Sequence, residues 1–196
     1  MRQLLALKWR LVPLIVAAAV LCIPLIQASL NQRQVSKAAQ AAESRLIVSK
    51  KQIEPVIISG IPNRIIVPSL SIDLPVLTQS YSNTTRTWPV SRSEANYASN
   101  TAPVNNSSGE TLIYGHNSRS VFGPLLDLEP GSLVYVYTDN GHIFKYIYQS
   151  SEDVTPTKLS IFDDMAKAPA GLKLITCNGP YFEYRHLMSL KLLQAS

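Results

Sequence analysis

The sequence predicts a mainly β domain, an antiparallel barrel or sandwich, preceded by one transmembrane helix. The helix is predicted because residues 11–30 form an uncharged, apolar run. The β domain is predicted because seven or eight short β-branched runs follow residue 55, separated by prolines and turn residues, with almost no amphipathic helix between them. The clearest two runs flank Asn140 and Gly141, a dipeptide that strongly favours a β-hairpin.

The net charge of the chain is concentrated near its N-terminus. Residues 1–50 hold seven Lys or Arg and one acid, whereas residues 51–196 hold eleven Lys or Arg and twelve acids. The formal charge of +5 therefore belongs to the N-terminal arm, and the domain is close to neutral. A near-neutral domain is a poor match for nucleic-acid phosphates, so we expect no nucleic-acid partner.

The apolar run 11–30 has the length of a membrane span, since twenty helical residues extend about 30 Å. The positive-inside rule predicts that residues 1–10 stay in the cytoplasm and that the domain is exported, because the run is preceded by Arg2, Lys8 and Arg10. A cleaved signal peptide is the alternative, but the length of the run and the lack of a sharp small-residue exit favour an uncleaved anchor. We therefore expect a single-pass protein of the cell membrane with an extracellular domain.

The rest of the chain is predicted to consist of a spacer and one domain. Residues 31–54 are rich in Ala, Gln, Ser and Lys and predict a partly helical juxtamembrane spacer. The domain follows at residues 55–196. Its main predicted strands are 64–68, 72–77, 111–114, 133–138, 143–148, 172–176 and 186–193, and short helical stretches are predicted at 122–128 and 158–165.

A single thiol lies at the end of one predicted strand. Cys177 directly follows strand 172–176 and precedes a turn. The other cysteine, Cys22, lies in the apolar run, so an intrachain disulfide is not expected. A lone thiol in an exported domain is uncommon and suggests a reactive group, although a cysteine in a buried strand is more often an inert packing residue.

Three histidines are candidates for a base beside this thiol. His142 lies in the hairpin turn, where a solvated role is the simplest interpretation. His186 directly follows Arg185, and neighbours in a strand point to opposite faces, so His186 faces away if Arg185 faces Cys177. His116 follows a strand that ends in glycine, where an imidazole can project without crowding, and it is the preferred base.

A thiol and a base also require a group that stabilises an oxyanion. Arg185 can supply positive charge, assisted by backbone N–H groups after the thiol; its alternative is a surface ion pair with Glu183. No metal-binding or phosphate-binding motif is present, and no cofactor is predicted. Calcium could bind exposed acids, although such loop acids are usually only solvated; those considered are Glu152, Asp153, Asp163 and Asp164.

Two motifs resemble those of a known family. Residues 174–177 read Leu-Ile-Thr-Cys and are followed by Arg185, and residues 114–117 read Tyr-Gly-His-Asn. The first resembles the Leu-x-Thr-Cys…Arg signature of sortases, the cysteine transpeptidases of Gram-positive cell surfaces. The second resembles the histidine motif of sortases, and residues 122–131 resemble the segment that follows that motif. The resemblance extends over about residues 62–193.

This resemblance implies a closed, antiparallel, eight-stranded β-barrel with short helices. It also implies that Cys177 cleaves a Leu-Pro-any-Thr-Gly-like sorting signal through an acyl-thioester. His116 would transfer protons, Arg185 would hold the substrate and the oxyanion, and Thr176 would line the site. The implied partners are sorting-signal-bearing surface proteins or pilins, together with an amine from a peptidoglycan precursor or a pilin lysine.

Two other functions stay open from the sequence. One is a non-catalytic exported β-domain that binds a wall polymer or a protein partner, with Cys177 packed in the barrel. The other is a hydrolase in which water, rather than an amine, resolves the thioester.

Overall fold

The computed structural model describes residues 32–43, 56–82 and 87–196. The chain divides into two units, Met1–Pro55 and Val56–Ser196.

In the first unit, residues 32–43 form helix α1, which is exposed along its whole length. Among the described residues, no helix is long and apolar enough to cross a membrane. The predicted transmembrane run 11–30 and the predicted cytoplasmic residues 1–10 lie outside the described part of the chain.

The second unit is mainly β. Its described residues form ten strands, which are β1 (Ser59–Gly60), β2 (Pro62–Val67), β3 (Ile72–Gln79), β4 (Ala95–Ala98), β5 (Val104–Asn105), β6 (Glu110–Tyr114), β7 (Leu133–Thr138), β8 (Ile143–Val154), β9 (Gly171–Asn178) and β10 (Tyr184–Ala195). Between them lie two 3₁₀ turns, Pro68–Leu70 and Gly123–Asp127, and helix α2, Ser160–Lys167.

Eight of these strands close into a barrel, as the sequence led us to expect. The order around the barrel is β10–β8–β7–β2–β3–β4–β6–β9, and β9 pairs with β10 to complete the circle. Strands β1 and β5 form a separate two-stranded sheet. Closure pairs the strand edges and so removes the exposed edges that favour aggregation.

The prediction that every barrel pair is antiparallel is wrong at two positions. Strands β3 and β4 are parallel, and so are β6 and β9. Parallel neighbours need a crossover connection rather than a tight turn. Residues 80–94 provide the first crossover, and residues 115–170, which include the β7–β8 hairpin, provide the second. Hairpin turns have a local sequence signal, whereas these long connections have none.

The barrel interior holds the larger apolar core, and the β7–β8 hairpin shows how the sequence builds it. Val134, Val136, Phe144 and Tyr146 are each 0% exposed, and the residues between them are half-buried on the outer face. This alternation is the period of a strand with one face packed. The turn is the predicted one, with Gly141 at a φ of +86°, a conformation that glycine adopts without a Cβ clash.

A smaller apolar cluster covers the outer face of β4, β6 and β9. Its buried members are Ala98, Leu112, Tyr114 and Met165, and the partly buried Trp88, Phe162 and Ile175 pack against it. Met165 and Phe162 belong to α2, so this helix lies on the outside of the barrel. The outer cluster positions the wall of the candidate site.

We predict that Phe144→Ala lowers the free energy of unfolding by about 3–5 kcal/mol, because it leaves a cavity in the closed barrel. Gln149→Ala, an exposed position of the same strand, is the control and should change it by less than about 0.5 kcal/mol. Denaturant titration of the full-length protein measures both, and equal losses would contradict the assignment of the barrel interior.

Candidate active site

Strands β6 and β9 lie side by side and in parallel at the centre of the candidate site. Their register pairs Tyr114 with Ile175, and the backbone N–H of Gly115 donates to the carbonyl of Ile175 at 3.1 Å. Continued by two residues, this register places His116 beside Cys177 where both strands end. Neighbouring strands are about 4.8 Å apart, which is within reach of an imidazole and a thiol.

Two side-chain hydrogen bonds extend the contact between β6 and β9 beyond the last ladder bond. The Thr176 hydroxyl donates to the Gly115 carbonyl at 3.1 Å, and the Asn117 amide donates to the Cys177 carbonyl at 2.8 Å. These bonds tie the residues on both sides of His116 to the chain around the thiol. The sequence reasoning did not single out Asn117 for a role, although asparagine amides often bond to backbone groups in turns.

Gly115 permits a close approach of two side chains to the backbone just before His116. A Cβ at this position would lie 2.9 Å from Val121 Cγ1 and 3.0 Å from the ring of Phe122. The N–H of Phe122 donates to the His116 carbonyl at 3.0 Å. Close packing and this bond together fix the backbone of His116, while its side chain stays exposed.

On its other side, β9 pairs antiparallel with β10. Cys177 is the direct register partner of Arg185, so both side chains project from the same face of the sheet. Cys177 is half-buried. The thiol therefore lies on a central strand, with His116 at the end of one neighbouring strand and Arg185 on the other.

Arg185 is held by backbone carbonyls. Its Nη1 donates to the carbonyls of Phe182 at 2.9 Å and Tyr184 at 3.0 Å. The alternative ion pair with Glu183 is not formed, and the Glu183 carboxylate accepts instead from the N–H of Tyr181 at 2.9 Å. Within residues 56–82 and 87–196, no carboxylate pairs with Arg185.

The other two histidines lie elsewhere. His186 is paired in register with Asp153 and Thr176, and its Nδ1 lies 2.8 Å from the Asp153 carboxylate. His142 is in the hairpin turn, with Nδ1 3.3 Å from the Ser196 carbonyl. Neither lines the groove described next, whereas His116 does.

A groove of about 450 Å³ contains the thiol and is mostly apolar. All four residues that the sequence singled out line it, namely Thr176, Cys177, His116 and Arg185. One wall is aromatic, with Trp88 stacked on Phe162 at a centroid distance of 6.1 Å and edge-on to Tyr114 at 5.8 Å. Such a wall favours apolar groups of a ligand over charged ones.

Hydrogen bonds fasten the segment that carries Trp88 to β6. The Tyr114 hydroxyl donates to the Pro89 carbonyl at 2.7 Å, and burial raises the pKa of Tyr114, which keeps the hydroxyl protonated as a donor. The fully buried Asn96 accepts from the N–H of Ser91 at 3.1 Å and donates to the Tyr114 carbonyl at 3.3 Å. The sequence contains Trp88 without indicating that it reaches the site.

The acids considered for calcium do not assemble into a metal site. Among the described residues, no group of three or more His, Cys, Asp or Glu side chains is placed to hold a metal ion. Glu152 lies 3.3 Å from the ammonium of Lys158, and Asp153 is engaged by His186. Asp163 and Asp164 are exposed on α2.

Comparison with known proteins places this geometry in context. A family model described as the Sortase domain matches residues 65–191. Sortase A of Bacillus anthracis is 31% identical over 121 residues, which are 58% of this chain and 50% of that protein. The chain thus spans about half the length of the curated relative that it matches.

Solved structures share the fold. Sortase A from Listeria monocytogenes has a TM-score of 0.55 at 22% identity, over 70% of this chain and 90% of that one. Sortase E1 from Streptomyces coelicolor, solved with a tripeptide in its active site, has a TM-score of 0.57 at 21% identity over the same shares. Sortase C-1 from Actinomyces oris reaches 0.54 at 24% identity, over 67% of this chain and 71% of that one.

We predict that Thr176→Val lowers the free energy of unfolding by about 1–2 kcal/mol, because the Gly115 carbonyl loses a buried donor. Thr111→Val is the matched control. The Thr111 hydroxyl is buried and has no hydrogen-bond partner among the described residues, so its removal should be neutral or stabilising. Chemical denaturation measures the change in unfolding free energy of both variants. Equal losses in the two would contradict the role given to the Thr176 hydroxyl.

Proposed function

The chain belongs to the sortase family, and on that premise we propose that it is a membrane-anchored cysteine transpeptidase of the cell surface. Its substrate is a protein with a Leu-Pro-any-Thr-Gly-like sorting signal. The observation that supports this most is the placement of Cys177 between His116 and Arg185 on three adjacent strand ends lining one groove.

In the acylation half-reaction, the Cys177 thiolate attacks the threonine carbonyl carbon of the signal. The carbonyl oxygen becomes an oxyanion, which the Arg185 guanidinium and backbone N–H groups after the thiol stabilise. His116, as its imidazolium, gives a proton to the departing glycine nitrogen while the C–N bond breaks. An acyl-thioester on Cys177 and a free glycine amine result.

In the second half-reaction, an amine attacks the thioester carbon. His116, now neutral, takes the proton of the attacking amine, and the C–S bond breaks to form a new amide and restore the thiolate. The acceptor is an amine of a peptidoglycan precursor or the lysine of a pilin. Each proton that His116 gives in the first step is thus recovered in the second.

The aromatic wall supports an apolar signal. Trp88, Phe162 and Ile175 offer a flat, apolar surface next to the thiol. The leucine and proline of the signal are apolar and bind there, whereas the scissile bond lies over Cys177, with its carbonyl oxygen toward Arg185 and its nitrogen toward His116. The energy of burying these two side chains holds the carbonyl within attacking distance of the thiol.

The site works outside the membrane. Residues 11–30 anchor the chain with the N-terminus in the cytoplasm, and residues 31–54 separate the domain from the bilayer. In this location the domain meets both exported surface proteins or pilins and wall amines. The lone thiol also escapes oxidation to an intrachain disulfide, because Cys22 lies within the anchor.

We predict that Cys177→Ala abolishes cleavage of a Leu-Pro-Ala-Thr-Gly peptide and transfer to triglycine, while circular dichroism and Tm stay unchanged. Cys22→Ala is the matched control and keeps activity, because its thiol plays no part in the reaction. Residual turnover in Cys177→Ala would disprove the nucleophile.

Thiol alkylation and product analysis separate the other two functions. Failure of the folded wild-type protein to react with excess iodoacetamide would favour a non-catalytic binding domain. Release of the free acid alone, with triglycine present, would identify a hydrolase.

We further predict a bell-shaped dependence of kcat/KM on pH, because the reaction needs a thiolate and a protonated imidazole together. Initial rates between roughly pH 5 and 9 measure the profile. His142→Gln, in the remote hairpin turn, should leave it unchanged, and a flat profile in the wild-type protein would contradict the pairing.

A further inference from the structure

A carboxylate joins the ends of β8, β9 and β10 beside the candidate site. Asp153 on β8 accepts from the Asn178 amide at 3.1 Å on Oδ1 and 2.9 Å on Oδ2. His186 Nδ1 lies 2.8 Å from Asp153 Oδ1. Asn178 directly follows Cys177, and His186 directly follows Arg185. One side chain therefore binds the residue next to the proposed nucleophile and the residue next to the proposed oxyanion-binding arginine.

The strand register places this cluster behind the site. Asp153 and His186 are register partners on β8 and β10, and the next row contains Arg185 and Cys177. Adjacent rows of a sheet point to opposite faces. Asp153, His186 and Asn178 are accordingly absent from the residues that line the groove, so they do not meet a substrate bound there.

The Asp153 carboxyl stays ionised to a lower pH than an ordinary aspartate. The hydrogen bond from His186, followed by the one from Asn178, holds the pKa of the Asp153 carboxyl below its usual range. Because the pKa of Asp153 is lower in the folded state, the ionised carboxylate contributes fully to folding stability above the usual aspartate pKa. This contribution is lost only as the pH falls through the lowered value.

The end of β9 needs such a restraint. Asn178 is its last residue, and Gly179 follows with a φ of +89°, leading into a turn in which Phe182 also has a positive φ of 60°. Tyr184 and Asn178 form the last register pair between β9 and β10. Fraying of this pair would move the thiol relative to the guanidinium, and a shift of about 1 Å can slow catalysis about 100-fold.

We propose that Asp153 is a positioning residue, which fixes the distance between Cys177 and Arg185 by holding Asn178 and His186 from the opposite face of the sheet. This inference rests on the proposed function, because the two residues it positions are the proposed nucleophile and its oxyanion partner. The proposal also gives a role to His186. Strand parity speaks against His186 as the base, but not against a positioning role.

The test compares Asp153→Ala with Asp153→Asn in the full-length protein. Asparagine keeps one Oδ1 acceptor, to which both His186 and Asn178 can donate, whereas alanine keeps none. With a fluorogenic Leu-Pro-Ala-Thr-Gly peptide, we expect Asp153→Ala to lower kcat by about 10- to 100-fold with KM changed less than about 3-fold. Asp153→Asn should recover most of kcat.

Asp73→Ala is the matched control. Asp73 also accepts a charged hydrogen bond, from Arg64 Nε at 2.7 Å, and is about as exposed as Asp153, but it lies on β3 away from the groove. It should leave kcat and KM unchanged. All rates are measured well below the Tm of each variant, so that the protein stays folded.

A kcat for Asp153→Ala within 2-fold of wild type, with only a lower Tm, would overturn the proposal, because the cluster would then be purely structural. Equal losses in Asp153→Asn and Asp153→Ala would overturn it as well, because charge rather than position would be responsible. The rate of Cys177 alkylation by iodoacetamide tests the same positioning without a substrate. We expect it to change at least about 3-fold in Asp153→Ala and not in Asp73→Ala.

If the wild-type protein fails to turn over the peptide but shows this difference in alkylation, the proposed substrate is wrong and the positioning role stands. If the peptide is turned over and neither kcat nor alkylation responds to Asp153→Ala, the positioning role is wrong and the proposed function stands.

Discussion

The parallel pairing of β6 with β9 is the constraint on which the candidate site depends. These strands are far apart in sequence, and their ends are brought together only by this register. A slip of one residue would turn every side chain of a strand to its other face. Thr176 and Asn117 continue the contact beyond the ladder with bonds of 3.1 Å and 2.8 Å. These bonds fix the register at His116 and Cys177, the two residues that the proposed chemistry uses.

The inner face of β9 packs in the barrel core, and its outer face lines the groove. Residues Leu172 and Leu174 of β9 are 0% exposed in the barrel interior, whereas Ile175 and Cys177 lie on the outer face that lines the groove. The closed interior supplies a rigid support, since packed cores resist small displacements. The groove is then formed on top of this support by α2 and the segment that carries Trp88. The rigid core and the groove thus lie on opposite sides of one sheet.

Local patterns were enough to predict several elements. Asn140 and Gly141 identify the hairpin, and the alternation around them identifies the buried face, because both signals arise between residues close in sequence. Strand parity alone separated His186 from Arg185, and the structure places His186 against Asp153. Motifs at strand ends single out the four candidate site residues, although not the β6–β9 pairing that brings them to one groove.

What the sequence could not indicate depends on long-range pairing. The parallel β3–β4 and β6–β9 pairs require long connections whose composition does not reveal their direction. Trp88 lies in the groove wall, where the buried Asn96 and the Tyr114 hydroxyl fasten its segment to β6. Asn117 and Asp153 act across similarly long separations, so neither could be distinguished from an ordinary turn amide or a surface acid.

The environment of Arg185 suits it to the proposed chemistry. Arg64 is paired with the carboxylate of Asp73, so most of its charge is neutralised locally. Arg185 is instead oriented by the carbonyls of Phe182 and Tyr184, and neutral acceptors fix a guanidinium without cancelling its charge. A positive charge that is already oriented needs little reorganisation when an anion forms beside it. The acid nearest in sequence, Glu183, bonds to the N–H of Tyr181, which leaves the guanidinium available for an oxyanion on a Cys177 adduct.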